Sequence, residues 1–190
     1  IPELGLLERG VRFVLPHAPE QAVTINGGHV MPAWYDIREP NIDAAPDAEG
    51  IRRSVGYLQR LASAEREQGA PAAAVVLAGF SQGGVIALHA GLTHPEPLGG
   101  VLALSTYLAL PEALDAEMPP ANRGLPVFLA HGTADPVVPF ALAEAASERL
   151  TGLGCEVDFH AYPVPHTVSL DEVADIRAWL WNRLGNLLVN

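Results

Sequence analysis

Two apolar patterns alternate along the chain. In the first, apolar residues recur every three or four positions: Ile51, Val55, Leu58 and Ala62 form one such stripe, and Val173, Ile176, Leu180, Leu184 and Leu187 form another. That spacing gathers the residues on one face of a helix. The second pattern is a short, nearly all-apolar run, at 72–78, at 98–105, which is Gly-rich at its start, and at 126–131. Strands of a parallel sheet covered on both faces have this pattern. Residues 155–162 differ: Cys155, Val157, Phe159 and Ala161 alternate with Glu156, Asp158, His160 and Tyr162. A period of two predicts a half-exposed strand at a sheet edge.

The chain therefore begins with a helix tail over 1–10 stopped at Gly10, a short strand over 11–15 closed by Pro16, and a long loop over 17–47. A helix from Ile51 to near Gly69 leads into the run 72–78, and a helix through Val85, Ala87, Leu88 and Ala90 follows. The run 98–105 precedes a loop over 106–124 with one helical turn. The run 126–131 precedes a loop over 132–139 and a helix over 140–150, stopped at Gly152. After the edge strand comes a last helix over 170–188. Strands alternating with helices predict an α/β fold with a mostly parallel central sheet and helices on both faces. At 190 residues, residues 1–190 make a single domain.

Charge and composition narrow the partners. The net charge is −11, from 22 acidic and 11 basic residues, with no basic cluster. This argues against nucleic acid as a partner. No apolar run approaches the ~18 residues of a membrane-spanning helix, so no stable membrane insertion is expected. The single cysteine, Cys155, excludes an intrachain disulfide and fits a cytoplasmic location. It opens a strand on the apolar side, where it reads as a packing residue. No histidine pair has metal-binding spacing, so neither a metal nor another cofactor is expected.

The candidate chemistry centres on Gly79-Phe80-Ser81-Gln82-Gly83. It lies between an apolar run and a helical stripe, so the order is strand, sharp turn, helix. G-x-S-x-G in that context is a nucleophile elbow. The turn exposes the serine, and the glycines let strand and helix approach without side-chain clashes. The alternative is a Gly-rich turn whose serine merely caps the helix. A serine nucleophile needs a base and a residue that orients it, and ligands gather at the carboxyl ends of the strands. Asp135 follows the strand ending at His131, and His166 follows the strand ending at Tyr162. Alone, Asp135 would read as an Asp-Pro turn and His166 as a loop histidine; together with Ser81 they make a triad in the order Ser, Asp, His. His160 lies mid-strand, and His131 reads as structural, bonded to nearby loop backbone.

Four segments make the chain resemble the carboxylesterase and acyl-protein thioesterase family of α/β-hydrolases. They are 15–37 (LPHAP, VTINGG, MPAWYDI), 77–84 (LAGFSQGG), 100–110 (GVLALSTYLAL), and the pair 131–139 and 162–166 (HGTADPVVP, YPVPH). The resemblance implies Ser81 as nucleophile, His166 as base, Asp135 as its orienter and the Gln82 amide as an oxyanion donor. It also implies that Trp34, Tyr107, Leu108 and Val137 line the substrate pocket, with ordinary loop packing as the alternative. The implied substrate is a small-molecule ester or thioester of short-to-medium acyl length, with no cofactor; a homodimer is compatible with it. An acyl-protein thioesterase or lysophospholipase, a serine peptidase, and a catalytically impaired hydrolase-fold protein stay open beside this reading. In the family a second oxyanion donor comes from an HGxG-type loop. Here His131-Gly132-Thr133-Ala134 follows the wrong strand. The expectation is therefore an N-terminally incomplete domain, unstable and nearly inactive in isolation, with a vacancy in the sheet between 11–15 and the elbow strand.

Overall fold

The computed structural model describes residues 1–185 and 187. In chain order the elements are β1 (Glu20–Val23), β2 (His29–Pro32), α1 (Ala48–Glu67), β3 (Val76–Phe80), α2 (Gln82–Leu92) and β4 (Gly100–Leu104). There follow α3 (Leu114–Glu117), β5 (Pro126–Gly132), α4 (Phe140–Gly152), β6 (Glu156–Tyr162) and α5 (Leu170–Leu184). Strands β3, β4, β5 and β6 pair in that order, all parallel. Their carboxyl ends therefore open on one side, where the loops after β3, β5 and β6 meet.

Pleating sorts the core into two layers. Val101, Ala103, Val127 and Leu129 face one side, where Ile51 and Val55 of α1, Ile86 and Leu88 of α2 and Leu150 of α4 cover them. Leu102, Phe128 and Ala130 face the other, under Ile176, Trp179, Leu180 and Leu184 of α5. Helices thus lie on both faces, as the continuous apolar runs require. Helix α2 is buried along its length from Gly84 to Leu92, which its apolar sequence permits. Helix α5 begins with a capping box: Glu172 N donates to Ser169 Oγ, and the Glu172 carboxylate accepts from Ser169 N.

The alanine run at 72–74 is a 3-10 turn, so the elbow strand starts at Val76, later than the apolar run suggests. The loop 17–47 contains the antiparallel hairpin β1–β2, turned through Gly27 and Gly28 at φ 67 and 77. In β6 the expected faces change near the end, where Ala161 is exposed and Tyr162 is buried. His160 and Tyr162 lie on the α5 side, His160 stacked on Phe128 at 4.6 Å and Tyr162 bonded to Asp175 at 2.7 Å. The expected end of the last helix at Leu188 lies outside the described residues, and Leu187 sits in a turn.

Residues 1–10 form two short 3-10 turns, each closed by a left-handed glycine, Gly5 and Gly10. Residues 11–15 are not a strand, contrary to the pattern: Val11 and Phe13 pack on the α5 layer, but no ladder forms. A strand exists only with a partner, and a cavity of about 740 Å³ separates this segment from the outer edge of β3. The cavity is lined by Phe13, Ala78, Phe80, Ile86, Leu104 and Ile176, among others. The elbow strand is thus an edge of the described sheet, open on the side facing 11–15.

Candidate active site

Ser81 sits between β3 and α2 at φ 54 and ψ −120, a backbone conformation costly for any residue with a Cβ. Four hydrogen bonds fix it there. Its amide donates to Leu104 O (2.9 Å), and its carbonyl accepts from Gly84 N (3.0 Å), Val85 N (3.3 Å) and Thr106 Oγ1 (2.7 Å). A Cβ on Gly79 would overlap the Gly83 carbonyl, and one on Gly84 would lie 2.6 Å from Thr106 Cβ. Both glycines are therefore needed for strand, helix and the loop after β4 to meet. The Ser81 side chain does not cap α2, which removes the helix-cap alternative. Gln82 is the first helical residue, so its amide lacks an intrahelical acceptor and lies at the positive end of the helix dipole.

Asp135 lies in the loop after β5, and both its carboxylate oxygens are used. Oδ1 accepts from Val137 N at 2.8 Å and Val138 N at 2.9 Å; Oδ2 accepts from His166 Nδ1 at 2.6 Å. Burial alone would raise its pKa, but the bonds from His166, Val138 and Val137 outweigh it and hold the carboxyl below the usual range. A carboxylate can only accept, so Nδ1 carries the proton and the neutral ring keeps its Nε2 lone pair.

Backbone bonds align the two loops. Thr133 N donates to Tyr162 O (2.7 Å) and Ala134 N to Val164 O (3.2 Å). A side chain on Gly132 would strike the Val164 and Pro165 carbonyls, so glycine lets the aspartate loop close on the histidine loop. His131 is buried, with Nε2 bonded to Val138 O at 2.9 Å and 3.4 Å from Asp135 Oδ2. It is thus bonded to nearby loop backbone, as expected.

The half-buried His166 ring packs against Phe80, with centroids 4.6 Å apart. The residue before the serine thus touches the ring bonded to Asp135. The Ser81 hydroxyl itself makes no hydrogen bond to His166. His160 is elsewhere, bonded to Asp158 at 2.9 Å on the β6 edge.

Of the four expected pocket residues, Trp34 is half-buried beside Gly83 and lines the cavity next to β3. Tyr107 and Leu108 are 4% and 8% exposed, in the core layer of α1 and α2. The Tyr107 hydroxyl donates to Ile42 O at 3.0 Å and lies 3.3 Å from the Tyr35 hydroxyl. Val137 is exposed beside the aspartate. Thr106 is not among the expected site residues; its one sign in the sequence is a hydroxyl residue just past the strand that neighbours the elbow. Among the described residues no group of His, Cys, Asp or Glu is arranged to hold a metal ion.

The model of the Phospholipase/Carboxylesterase family matches residues 7–183. Acyl-protein thioesterase 1 of Yarrowia lipolytica is 39% identical over 174 residues, covering 90% of this chain and 77% of the relative. Acyl-protein thioesterase 1 of Mycosarcoma maydis is 40% identical over 184 residues, with the same shares, 90% and 77%. Among solved structures, Arabidopsis thaliana SOBER1 superposes with a TM-score of 0.85 at 31% identity, covering 90% of this chain and 83% of that one. Zea mays acyl-protein thioesterase 2 gives 0.78 at 27% identity, covering 90% and 80%. With an elbow serine at the end of a parallel strand and this likeness over almost its whole length, the chain belongs to the phospholipase/carboxylesterase family of α/β-hydrolases.

Proposed function

We propose that the chain hydrolyses carboxylic esters and thioesters of short-to-medium acyl length through an acyl-enzyme on Ser81. His166 is the base, Asp135 its orienter and the Gln82 amide an oxyanion donor. The observation that carries this reading is the Asp135–His166 pair, bonded at 2.6 Å and packed on Phe80, at the sheet end where Ser81 is held in a strained turn. The relatives' names as acyl-protein thioesterases support the thioester arm.

His166 Nε2 takes the Ser81 proton as Oγ attacks the substrate carbonyl. The carbonyl π pair moves onto oxygen, and the Gln82 amide stabilises the oxyanion, an effect worth ~3–4 kcal/mol per donor in hydrolases. The intermediate collapses and the C–O or C–S bond breaks. The alcohol or thiol leaves with the proton from His166. Water then repeats the sequence on the acyl-serine: it loses a proton to His166, adds to the carbonyl, and expels Ser81, which His166 reprotonates. Asp135 keeps Nδ1–H pointed inward and balances the imidazolium charge throughout. The Ser81–His166 bond that this step needs would form with substrate in place, as catalytic hydrogen bonds often do. The partners of this reading are small-molecule substrates, and its setting is the cytoplasm, which Cys155 as a lone buried thiol supports.

The test is turnover of a p-nitrophenyl ester series of increasing acyl length beside a long-chain acyl thioester. Saturable hydrolysis of the shorter esters is expected, at a low rate with the Gln82 amide as the single assigned oxyanion donor. Action confined to emulsified triglyceride, or one acylation per chain without turnover, would contradict the proposal.

A further inference from the structure

We infer that the side chain of Gln82 is a positioning residue that locks the segment 34–36 onto the elbow. The inference rests on the hydrolase reading above. The carboxamide makes two bonds to adjacent residues of that segment: Oε1 accepts from Trp34 N at 3.1 Å and Nε2 donates to Tyr35 O at 3.0 Å. It therefore pairs with the segment as a neighbouring peptide group would. At neutral pH a primary amide of this length offers both donor and acceptor. An ionised glutamate lacks the donor, and methionine lacks the donor and offers only a weak thioether acceptor.

The rest of the segment is pinned from α1. Ser54 Oγ donates to Trp34 O, and Asp36 N donates to Asp47 Oδ2 at 3.1 Å. Asp47 Oδ1 also accepts from Gly50 N at 3.2 Å, so the same aspartate caps α1. Around Trp34, the peptide groups facing the elbow are thus held by Gln82 and those facing away by α1. The indole follows: its Nε1 lies 3.6 Å from where a Cβ on Gly83 would sit, and its ring stands 6.3 Å from that of Tyr57. One residue consequently offers its main-chain amide toward the oxyanion position and its side chain to the segment that carries Trp34. Fixing the side chain also fixes the first turn of α2, and with it the direction of the unpaired amide. A glutamine in an exposed helix turn would need neither bond; here both are made at half-buried groups.

The experiment uses the full chain and two variants. Gln82→Met keeps the length and the main-chain amide but removes both bonds. Gln82→Glu keeps an acceptor, loses the donor when ionised and regains one when protonated. The readouts are the indole N–H resonance of Trp34, assigned with Trp34→Phe, and steady-state ester kinetics. Both variants should shift the resonance at neutral pH, and Gln82→Met should lower kcat/KM roughly tenfold, mainly through kcat, as the loss of two neutral hydrogen bonds implies. On acidification the Gln82→Glu resonance should return toward the wild-type position, whereas that of Gln82→Met should not. If Gln82→Met does not fold, Gln82→Glu carries the test, because its two protonation states are compared in one protein. An unmoved resonance in both variants, or a moved resonance with kcat/KM within about twofold of wild type, overturns the inference. A wild-type chain that turns over no ester contradicts the hydrolase reading instead; the resonance still reads the clamp.

Discussion

The carboxylate of Asp135 has no free side: two backbone amides hold Oδ1 and His166 holds Oδ2. Asp135→Asn keeps the shape but places an amide against groups that all donate. It should lower kcat by roughly 10²–10⁴-fold with a smaller change in KM, because the ring tautomer is lost. An Asn variant of nearly normal activity would remove Asp135 from the mechanism. Its folded-state pKa is depressed, so its stabilisation is fully present above the unfolded value and is lost as pH falls through the lower folded value. The difference in Tm between wild type and Asp135→Asn should therefore shrink in acid. Thr106→Val removes the 2.7 Å bond to the Ser81 carbonyl while keeping the methyl beside Gly84. It should destabilise by about 1 kcal/mol and reduce kcat more than it raises KM; urea unfolding and ester kinetics would measure both. Cys155 is buried and its thiol is pushed up to about 11, so iodoacetamide should leave it unmodified in the native chain. Ser81 and the two loop residues could be read from position alone, each lying just past a strand end. Thr106 and the Gln82 side chain could not, because their roles depend on which loops the fold brings to the elbow.

Helix α5 carries a burial that its sequence does not announce. Glu172 closes the capping box, yet it is 1% exposed and Oε1 has no partner among the described residues. Burial raises its pKa, against a smaller opposing effect of the Ser169 amide and His160. An acid whose folded pKa is raised costs stability above that value and is relieved as pH falls toward the unfolded one. Glu172→Gln keeps the cap acceptor and removes the charge, so it should raise Tm at neutral pH, with the gain fading in acid. A lowered Tm at neutral pH would show that the carboxylate is satisfied. Helical stripes located α1 and α5, and apolar runs located the strands β4 and β5, because burial follows the pattern there. The hairpin β1–β2 was hidden. Three of its four β2 residues are apolar or proline, and all four are exposed, so the pattern carries no burial signal. Its one local sign was Asn26-Gly27 before a second glycine. The 11–15 segment misled in the opposite sense, since it is apolar at four of five positions and closed by Pro16, as a short strand would be, but has no ladder partner.

At the scale of the whole molecule, the parallel order β3-β4-β5-β6 decides everything else. It brings the loops carrying Ser81, Asp135 and His166 to one end and leaves β3 at an edge beside a cavity of about 740 Å³. Alternate amides of β3 point at β4, and the others point into the cavity. Hydrogen exchange should therefore protect β4 amides throughout and β3 amides alternately. Uniform protection along 76–80 would mean that another strand, or a second copy, pairs there. The alternation of strands and helices sufficed to infer one parallel sheet; the pairing at its edges depends on long-range contacts that no local pattern encodes. The central claim, that Ser81 is the nucleophile, is tested most directly by a fluorophosphonate probe followed by peptide mass spectrometry. One adduct per chain is expected, on the peptide containing Ser81, with its formation abolished in Ser81→Ala and slowed in His166→Ala. An adduct on any other residue, or a Ser81→Ala chain that still hydrolyses esters at the wild-type rate, would contradict the account.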